Sequence, residues 1–211
     1  MTDHIEFCPM APHKVTVDGM SFCGKTRLIT ALAEYATTHY NSKIKPQEDF
    51  CGDTSPITSI EIQDAEPRSI DFWEVSYSSF GRLTVLAYPK TNLVLFCFPL
   101  DYLDDPNLKW DVKDKVDHLT SKESPKGKDA PLILVGCRND LRKQAKAAGS
   151  STVSGEGSKE LKQYARKNRL EYFECSAESG ESIAELFQAV IGRSALPPKK
   201  RRVISSKCIM L

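Results

Sequence analysis

Eight residues near the N-terminus have the types and spacing needed to hold phosphate: Gly19-Met20-Ser21-Phe22-Cys23-Gly24-Lys25-Thr26, the pattern G-x-x-x-x-G-K-[ST]. A loop of this kind turns its backbone N–H groups inward and makes a nest for phosphate oxygens. Gly24 lets the main chain approach the ligand closely. Lys25 is placed to reach the β and γ phosphates, and Thr26 offers its hydroxyl to Mg²⁺. The helix that must begin here adds the favourable field of its N-terminus. Gly19, Ser21, Phe22 and Cys23 complete the cradle.

Such a loop works only between a strand and a helix, and the flanking sequence supplies both. Lys14 to Asp18 (KVTVD) is a short β-branched run. Lys25 to Thr38 reads as a helix with Leu28, Ile29, Leu32 and Ala33 on one side. Ile57 to Ile62 alternates as a strand, Ser69 to Trp73 reads as its partner, and residues 63–68 form the turn. Asn92 to Phe98 and Pro131 to Val135 are continuous apolar runs of strand length, as expected of strands buried on both faces. Gly157 to Lys167 reads as a helix, Leu170 to Glu174 as a strand, and Ser182 to Gly192 as a last amphipathic helix. Strands alternating with helices imply an α/β fold: a mostly parallel six-stranded sheet with helices on both faces. Ligands of such folds sit at the carboxyl ends of the strands, where the phosphate loop falls.

The next two strand ends carry a second signal. Cys137-Arg138-Asn139-Asp140 follows the strand PLILVG, and Cys175-Ser176-Ala177 follows LEYFE. With these the chain resembles the Ras superfamily of small GTPases, in which an N/T-K-x-D box and an S-A-K box follow the last two strands and read guanine. The resemblance implies a P-loop NTPase of the Ras-like G-domain type, with GTP or GDP and Mg²⁺ as ligands. It assigns Asp140 to the guanine ring N–H and amino group, a donor pair that a carboxylate accepts and adenine cannot offer. It assigns Ser176 and Ala177 to the loop whose backbone meets the guanine carbonyl, and lays the Arg138 stem along the base. Tyr88-Pro89-Lys90-Thr91-Asn92, then LVLFCF and Asp101, resembles the Y-P-x-T-D…C-F-S-x-D stretch of Rho proteins. Trp110 and the LRKQ after Asp140 fit the same family. The segment from Lys143 to Lys159 is longer than in Ras-like proteins and shorter than the usual Rho insert. On this reading residues 1–13 are an N-terminal arm, 14–194 a Ras/Rho-like G domain and 195–211 a tail.

The departures from the family pattern concentrate on catalysis. Ser21 stands where the family has a glycine, and its side chain crowds the attacking water and an arginine finger. The bulky Phe22 is next to it. In place of the D-T-A-G-Q box the chain has Trp73-Glu74-Val75-Ser76-Tyr77-Ser78. Glu74 can replace the aspartate that holds Mg²⁺ through water, with one more methylene. Ser78 is nearest in register to the water-orienting glutamine and is short for that work. Gln47 is the best positional match to the switch threonine, with Thr54 more distant. Cys137 replaces Asn or Thr, Arg138 replaces Lys, and Glu178 replaces the lysine after Ser-Ala. No catalytic residue can be assigned beyond the positional candidates Ser78 and Gln47, and hydrolysis is expected to be slow or absent.

Composition bounds the rest. The 211 residues carry 29 Lys plus Arg and 28 Asp plus Glu, a net charge of +1. That balance argues against a nucleic-acid partner held by global charge. Seven cysteines without a C-x-x-C pair argue against a disulfide framework or a zinc site. No apolar stretch approaches membrane-spanning length, and the first residues lack the basic and apolar regions of a secretory signal, so the chain is expected to be soluble and intracellular. Residues 195–211 carry five basic residues and no acid, which leaves −4 on the preceding body. Cys208-Ile209-Met210-Leu211 fits C-a-a-X with the leucine of the geranylgeranyl form, and Lys199 to Arg202 supply a polybasic second signal. These features point to lipidation at Cys208 and to the cytoplasmic face of the plasma membrane or an endomembrane, with a cytosolic pool. The resemblance implies effectors, an exchange factor and a GDP-dissociation inhibitor as partners, and a part in cytoskeletal signalling.

Three readings stand at this point: a divergent Rho-like GTPase, a scaffold on the same fold locked in one nucleotide state, and an unrelated P-loop kinase. The third leaves Asp140, Ser176-Ala177 and the C-terminal motif without a role.

Overall fold

The computed structural model describes residues 12–45, 57–63, 67–75, 87–121, 130–149 and 154–195. Among these residues twelve elements follow one another: β1 (His13–Gly19), α1 (Lys25–His39), β2 (Ser42–Lys45), β3 (Ile57–Ile62), β4 (Arg68–Glu74), β5 (Leu93–Pro99), α2 (Pro106–Thr120), β6 (Leu132–Cys137), α3 (Asn139–Ala147), α4 (Glu156–Lys167), β7 (Glu171–Glu174) and α5 (Ile183–Ser194). The strands form one sheet in the order β2-β3-β4-β1-β5-β6-β7. β4, β1, β5, β6 and β7 run parallel, while β3 is antiparallel to both β4 and β2.

All six expected strands are present, and the sheet has a seventh. β2 is the four-residue edge segment Ser-Lys-Ile-Lys, paired from Ser42 with Ile62 to Lys45 with Ser59. With one apolar residue in four it has no strand signal of its own; its pairing comes from β3. Two helices also lie beyond the expected ones. α2 begins with Asp105, whose carboxylate accepts the Asn107 N–H at 2.8 Å, followed by Pro106 at the first helical position. Its Val112, Val116 and Leu119 make the buried stripe. α3 is short, and Asn139 is its buried residue.

The sheet divides the interior into two layers, as the expected architecture requires. On one face α1 (Leu28, Leu32, Ala36) and α5 (Ile183, Leu186, Phe187, Val190) pack on Val15, Val17, Leu95 and Phe72. On the other, α2 (Val112, Val116, Leu119) and α4 (Leu161, Ala165) pack on Val94, Phe96, Phe98 and Leu134. Every residue of β5 and β6 is buried, which explains their unbroken apolar runs. β1 begins at His13, one residue inside the expected arm, and His13 Nδ1 lies 2.8 Å from the Ser194 carbonyl.

The Tyr88-to-Asn92 stretch is structural. The buried Tyr88 hydroxyl donates to Asp18 Oδ2, Thr91 Oγ1 meets Thr16 Oγ1 at 2.7 Å, and Asn92 Oδ1 accepts the Lys14 N–H at 2.9 Å. These bonds fix β5 beside β1. Burial and the Asp18 carboxylate push the Tyr88 phenol well up, so it stays a neutral donor. The longer segment between α3 and α4 is tied by Asp104. Its carboxylate accepts the N–H groups of Gly157 at 2.7 Å and Gly155 at 3.1 Å, and both the N–H and the hydroxyl of Ser154, and so caps α4 from a neighbouring loop.

Candidate functional site

The phosphate loop leaves β1 through Gly19 and enters α1 at Gly24. Glycine is required at the first position: φ is 146°, and a β-carbon would lie 2.0 Å from the Cys97 carbonyl oxygen. Gly24 is left-handed at φ 98°, and no side chain caps the helix it opens. The first turn of α1 holds Lys25 and no acid. Uncapped N–H groups, a dipole end and a lysine make this a site for anions. Lys25 is buried, with its Nζ donating to the Met20 carbonyl at 3.1 Å. Ser21 is exposed. Phe22 is a non-glycine residue at φ 57° with its side chain 94% exposed, a strained conformation on the rim of the loop.

The hydroxyl of Thr26, at the start of α1, donates to Glu74 Oε1, at the end of β4, at 2.8 Å. The parallel pairing of β1 with β4 sets Glu74 opposite Val17, just below the loop. The two metal candidates named from sequence are therefore brought together, and the longer glutamate spans the gap. Hydroxyl and carboxylate are hard oxygen donors, the type Mg²⁺ takes alongside phosphate oxygens and water. Among the described residues no three of His, Cys, Asp and Glu are grouped so as to hold a metal ion.

The base-reading candidates converge from two further strand ends. Ser176, fully buried beyond β7, donates to Asp140 Oδ1 at 2.7 Å and accepts the Ser179 N–H at 3.1 Å. Asp140 is half-buried in the first turn of α3, and Ala177 is half-buried beside Ser176. Arg138 joins this group to the phosphate loop. It is held at φ 65°, donates to the Phe22 carbonyl at 3.3 Å and pairs with Asp101 Oδ2 at 2.9 Å. Its stem lies against Gly24, where a β-carbon would come within 3.9 Å of Cγ. Its guanidinium also lies 5.8 Å from the Tyr102 ring centre. Asp101 is raised by burial, which outweighs the pull of Arg138, and its Oδ1 is buried without a hydrogen-bond partner among the described residues. An unmet acceptor at this place is one that a ligand donor or water would satisfy.

Two groups of residues around the site were not singled out by chemistry in the sequence. Cys23, Cys97, Cys137 and Cys175 are all buried and reduced. They come from the phosphate loop, β5, β6 and the start of the base loop and share one core layer, where the Cys137 thiol donates to the Val135 carbonyl at 3.8 Å. The neighbouring thiols, Cys175 foremost, and burial push the Cys137 thiol well up, so that thiol serves packing. Cys137 thus fills, as a compact thiol, the place of a family asparagine. The second group is Arg142 with Glu174. Arg142 donates to Glu174 Oε2 at 2.7 Å and Asn139 Oδ1 at 2.6 Å, and Lys162 reaches Glu174 Oε1 at 3.0 Å. Burial alone would raise the Glu174 carboxyl, but these hydrogen bonds outweigh it and hold it at about 2. The network fixes the end of β7 against the start of α3, and so Ser176 against Asp140. Its only trace in the sequence is that residues 138–142 hold two arginines.

The remaining candidates, Gln47, Thr54, Ser78, Lys199 to Arg202 and Cys208, lie outside the described residues. So do most of the expected arm and tail. Among the described residues no helix is long and apolar enough to cross a membrane.

Comparison with known proteins agrees with this geometry. The family model described as "Ras family" matches residues 14–195. The chain is 28% identical to "GTP-binding protein RHO1" of Candida albicans, over 94% of this chain and 95% of that one. It is 27% identical to "GTP-binding protein RHO1" of Saccharomyces cerevisiae, over 94% and 95%. It is likewise 27% identical to "GTP-binding protein rho5" of Schizosaccharomyces pombe, over 94% and 96%. The relatives therefore span the whole sheet, both core layers and all three loops of the site. Phosphate loop, base loops and family model all point the same way, and the chain belongs to the Ras family as a divergent Rho-like member.

Proposed function

We propose that this protein binds GTP and GDP with Mg²⁺ as a Rho-like guanine-nucleotide-binding protein, and that it hydrolyses GTP slowly or not at all. The observation that carries this is the joining of three loops by Arg138. Its donation to Phe22 and its stem against Gly24 place the phosphate nest beside the Asp140–Ser176 pair.

In this reading the loop from Gly19 to Thr26 surrounds the phosphates. Lys25 exchanges its Met20 carbonyl for phosphate oxygens, a donor already desolvated and aimed along the loop. Asp140 accepts two guanine donors, with Ser176 fixing its rotamer; Ala177 and Ser176 present backbone to the base edge. Thr26 and Glu74 would hold the metal, which when bound supplies charge neutralisation on the phosphates. Hydrolysis in this chemistry depends on positioning and electrostatics. Here Ser21 stands where the family's glycine leaves room for the attacking water, and no Gln-bearing D-x-x-G sequence follows Glu74.

The same substitutions support a second reading, a scaffold held in one nucleotide state, since contacts to the γ phosphate order the switch segments of such proteins. The tail supports attachment to anionic membrane by a prenyl group on Cys208 with Lys199 to Arg202, recruiting effectors and regulators there. One lipid chain binds reversibly, and the basic cluster adds roughly 1 kcal/mol per residue near the surface. The mass of the C-terminal peptide from cells checks that part.

The nucleotide claim is tested by titrating the purified protein with fluorescent mant-GDP in Mg²⁺, then competing with GTP and with ATP. Displacement by GTP and not by ATP is expected. Equal displacement by both would overturn the base assignment, and no binding would overturn the reading.

A further inference from the structure

One exposed contact joins the two ends of the pocket. Arg27, third residue of α1, extends its Nη2 to Glu178 Oε2 at 2.6 Å. Arg27 follows Thr26 directly, on the turn that forms the anion site. Glu178 sits two residues after Ser176, on the loop that holds Asp140. The two side chains are 66% and 71% exposed. A cation in the first turn of a helix opposes the dipole, so Arg27 gains by finding an acid there. Glu178 raises its affinity for the proton further through the hydrogen bond and the charge. The Glu178 side chain thereby finds a partner that a lysine at that position would repel. The same base loop is held from its other side by Lys143, whose Nζ meets both oxygens of Glu181 at 2.8 Å. That tie stays on the base side, since Lys143 lies on α3 with Asp140. Among the described residues, the Arg27 tie crosses from the phosphate helix to the base loop.

We propose that Arg27 and Glu178 form an ionic latch across the pocket that slows nucleotide release. The proposal rests on the nucleotide-binding reading above. A nucleotide with its phosphates at the start of α1 and its base at Asp140 has its sugar between the two segments the latch joins. Parting those segments to let the ligand out breaks the pair. Because both side chains are exposed, the effect is small and sensitive to salt.

The test is mant-GDP release from the full chain, chased with excess GDP at constant Mg²⁺, for wild type, Arg27→Gln, Glu178→Gln and the double variant Arg27→Gln with Glu178→Gln. Each single variant is expected to release about 2- to 5-fold faster at low salt. The double variant is expected to release no faster than either single variant, as for two partners of one contact, and the differences to fade at 1 M NaCl. Glu178→Gln separates the latch from a simpler role for Arg27. If Arg27 served only as a phosphate cation, freeing it from Glu178 would slow release, and that result overturns the latch. Unchanged release in both single variants overturns it as well, with a thermal melt confirming that each variant is folded. Wild-type protein that takes up no mant-GDP refutes the nucleotide reading first and the latch with it.

Discussion

Replacing Arg142 with alanine tests whether the base loops are held by a charge network. Arg142 and Glu174 are largely buried, with side chains 17% and 13% exposed. Arg142→Ala leaves Glu174 with Lys162 and the Tyr172 hydroxyl, both on Oε1, and frees Asn139 Oδ1 from its 2.6 Å donor. Glu174 falls from the ordinary 4.5 to about 2 in the fold. At 1.36 kcal/mol for each pH unit that is about 3.4 kcal/mol before allowance for solvent. Water still reaches part of the site, so about 2 kcal/mol is the working figure. Much of this is contributed by Arg142, since its hydrogen bond to Glu174 outweighs that of Lys162. The sign follows from linkage. A carboxylate with a lowered folded value adds stability above its unfolded value and loses it as pH falls toward the folded one. The Glu174 contribution is therefore complete at pH 7, begins to fall near pH 5 and is more than half gone at pH 3. Urea unfolding of wild type and variant between pH 7 and pH 3 reads it directly. The expected gap is about 1–2 kcal/mol at pH 7, narrowing steadily below pH 5. A gap that stays constant across this range, or is absent at pH 7, would show that the network does not hold the site.

Three further outcomes follow from the same geometry. Asp140→Asn replaces an acceptor with a donor toward the base, so preference should move from GTP toward xanthosine triphosphate in the mant-GDP competition; an unchanged order counts against Asp140 as the base reader. Glu74→Gln keeps the Thr26 contact and removes the charge, and should weaken Mg²⁺-dependent nucleotide retention by about 10-fold while leaving retention in EDTA unchanged. Asp104→Ala removes an acceptor of Ser154, Gly155 and Gly157 N–H groups and should cost about 1–2 kcal/mol by urea denaturation. Burial would raise the Asp104 carboxyl, but those N–H groups hold it below the ordinary value, so its contribution should also fade in acid.

The sheet was legible wherever a strand carries its own pattern. β5 and β6 are apolar throughout because both faces are covered, and the continuous runs showed it. β2 was not legible, since Ser-Lys-Ile-Lys becomes a strand only through β3. α2 was marked by Asp105-Pro106, a helix start that the apolar stripe after it confirms, yet its polar, Lys- and Asp-rich surface hides that stripe. α3 follows directly from β6 through a left-handed Arg138, with no linker to announce it. The site divides similarly. Gly19 to Thr26, Asp140 and Ser176 could be named from sequence because binding phosphate and guanine would demand particular residue types at set spacing, and the fold brings them to neighbouring strand ends. Glu74 was readable as a substitute, and its contact with Thr26 supports the extra methylene. Arg142 with Glu174 and Arg27 with Glu178 were not readable, because each pair joins residues at least 32 positions apart that only the folded sheet brings together. The meaning of Cys137 was hidden for a related reason: a thiol in a polar box makes sense once Cys23, Cys97 and Cys175 surround it.

The most direct test of the central claim is single-turnover hydrolysis of GTP by protein whose bound nucleotide has first been identified by chromatography of the same sample. The account predicts bound guanine nucleotide and a rate with Mg²⁺ below roughly 10⁻⁴ s⁻¹, under that of an ordinary unassisted enzyme of this class. Guanine nucleotide turned over faster than that would contradict it, and would mean that residues other than a D-x-x-G glutamine position the water.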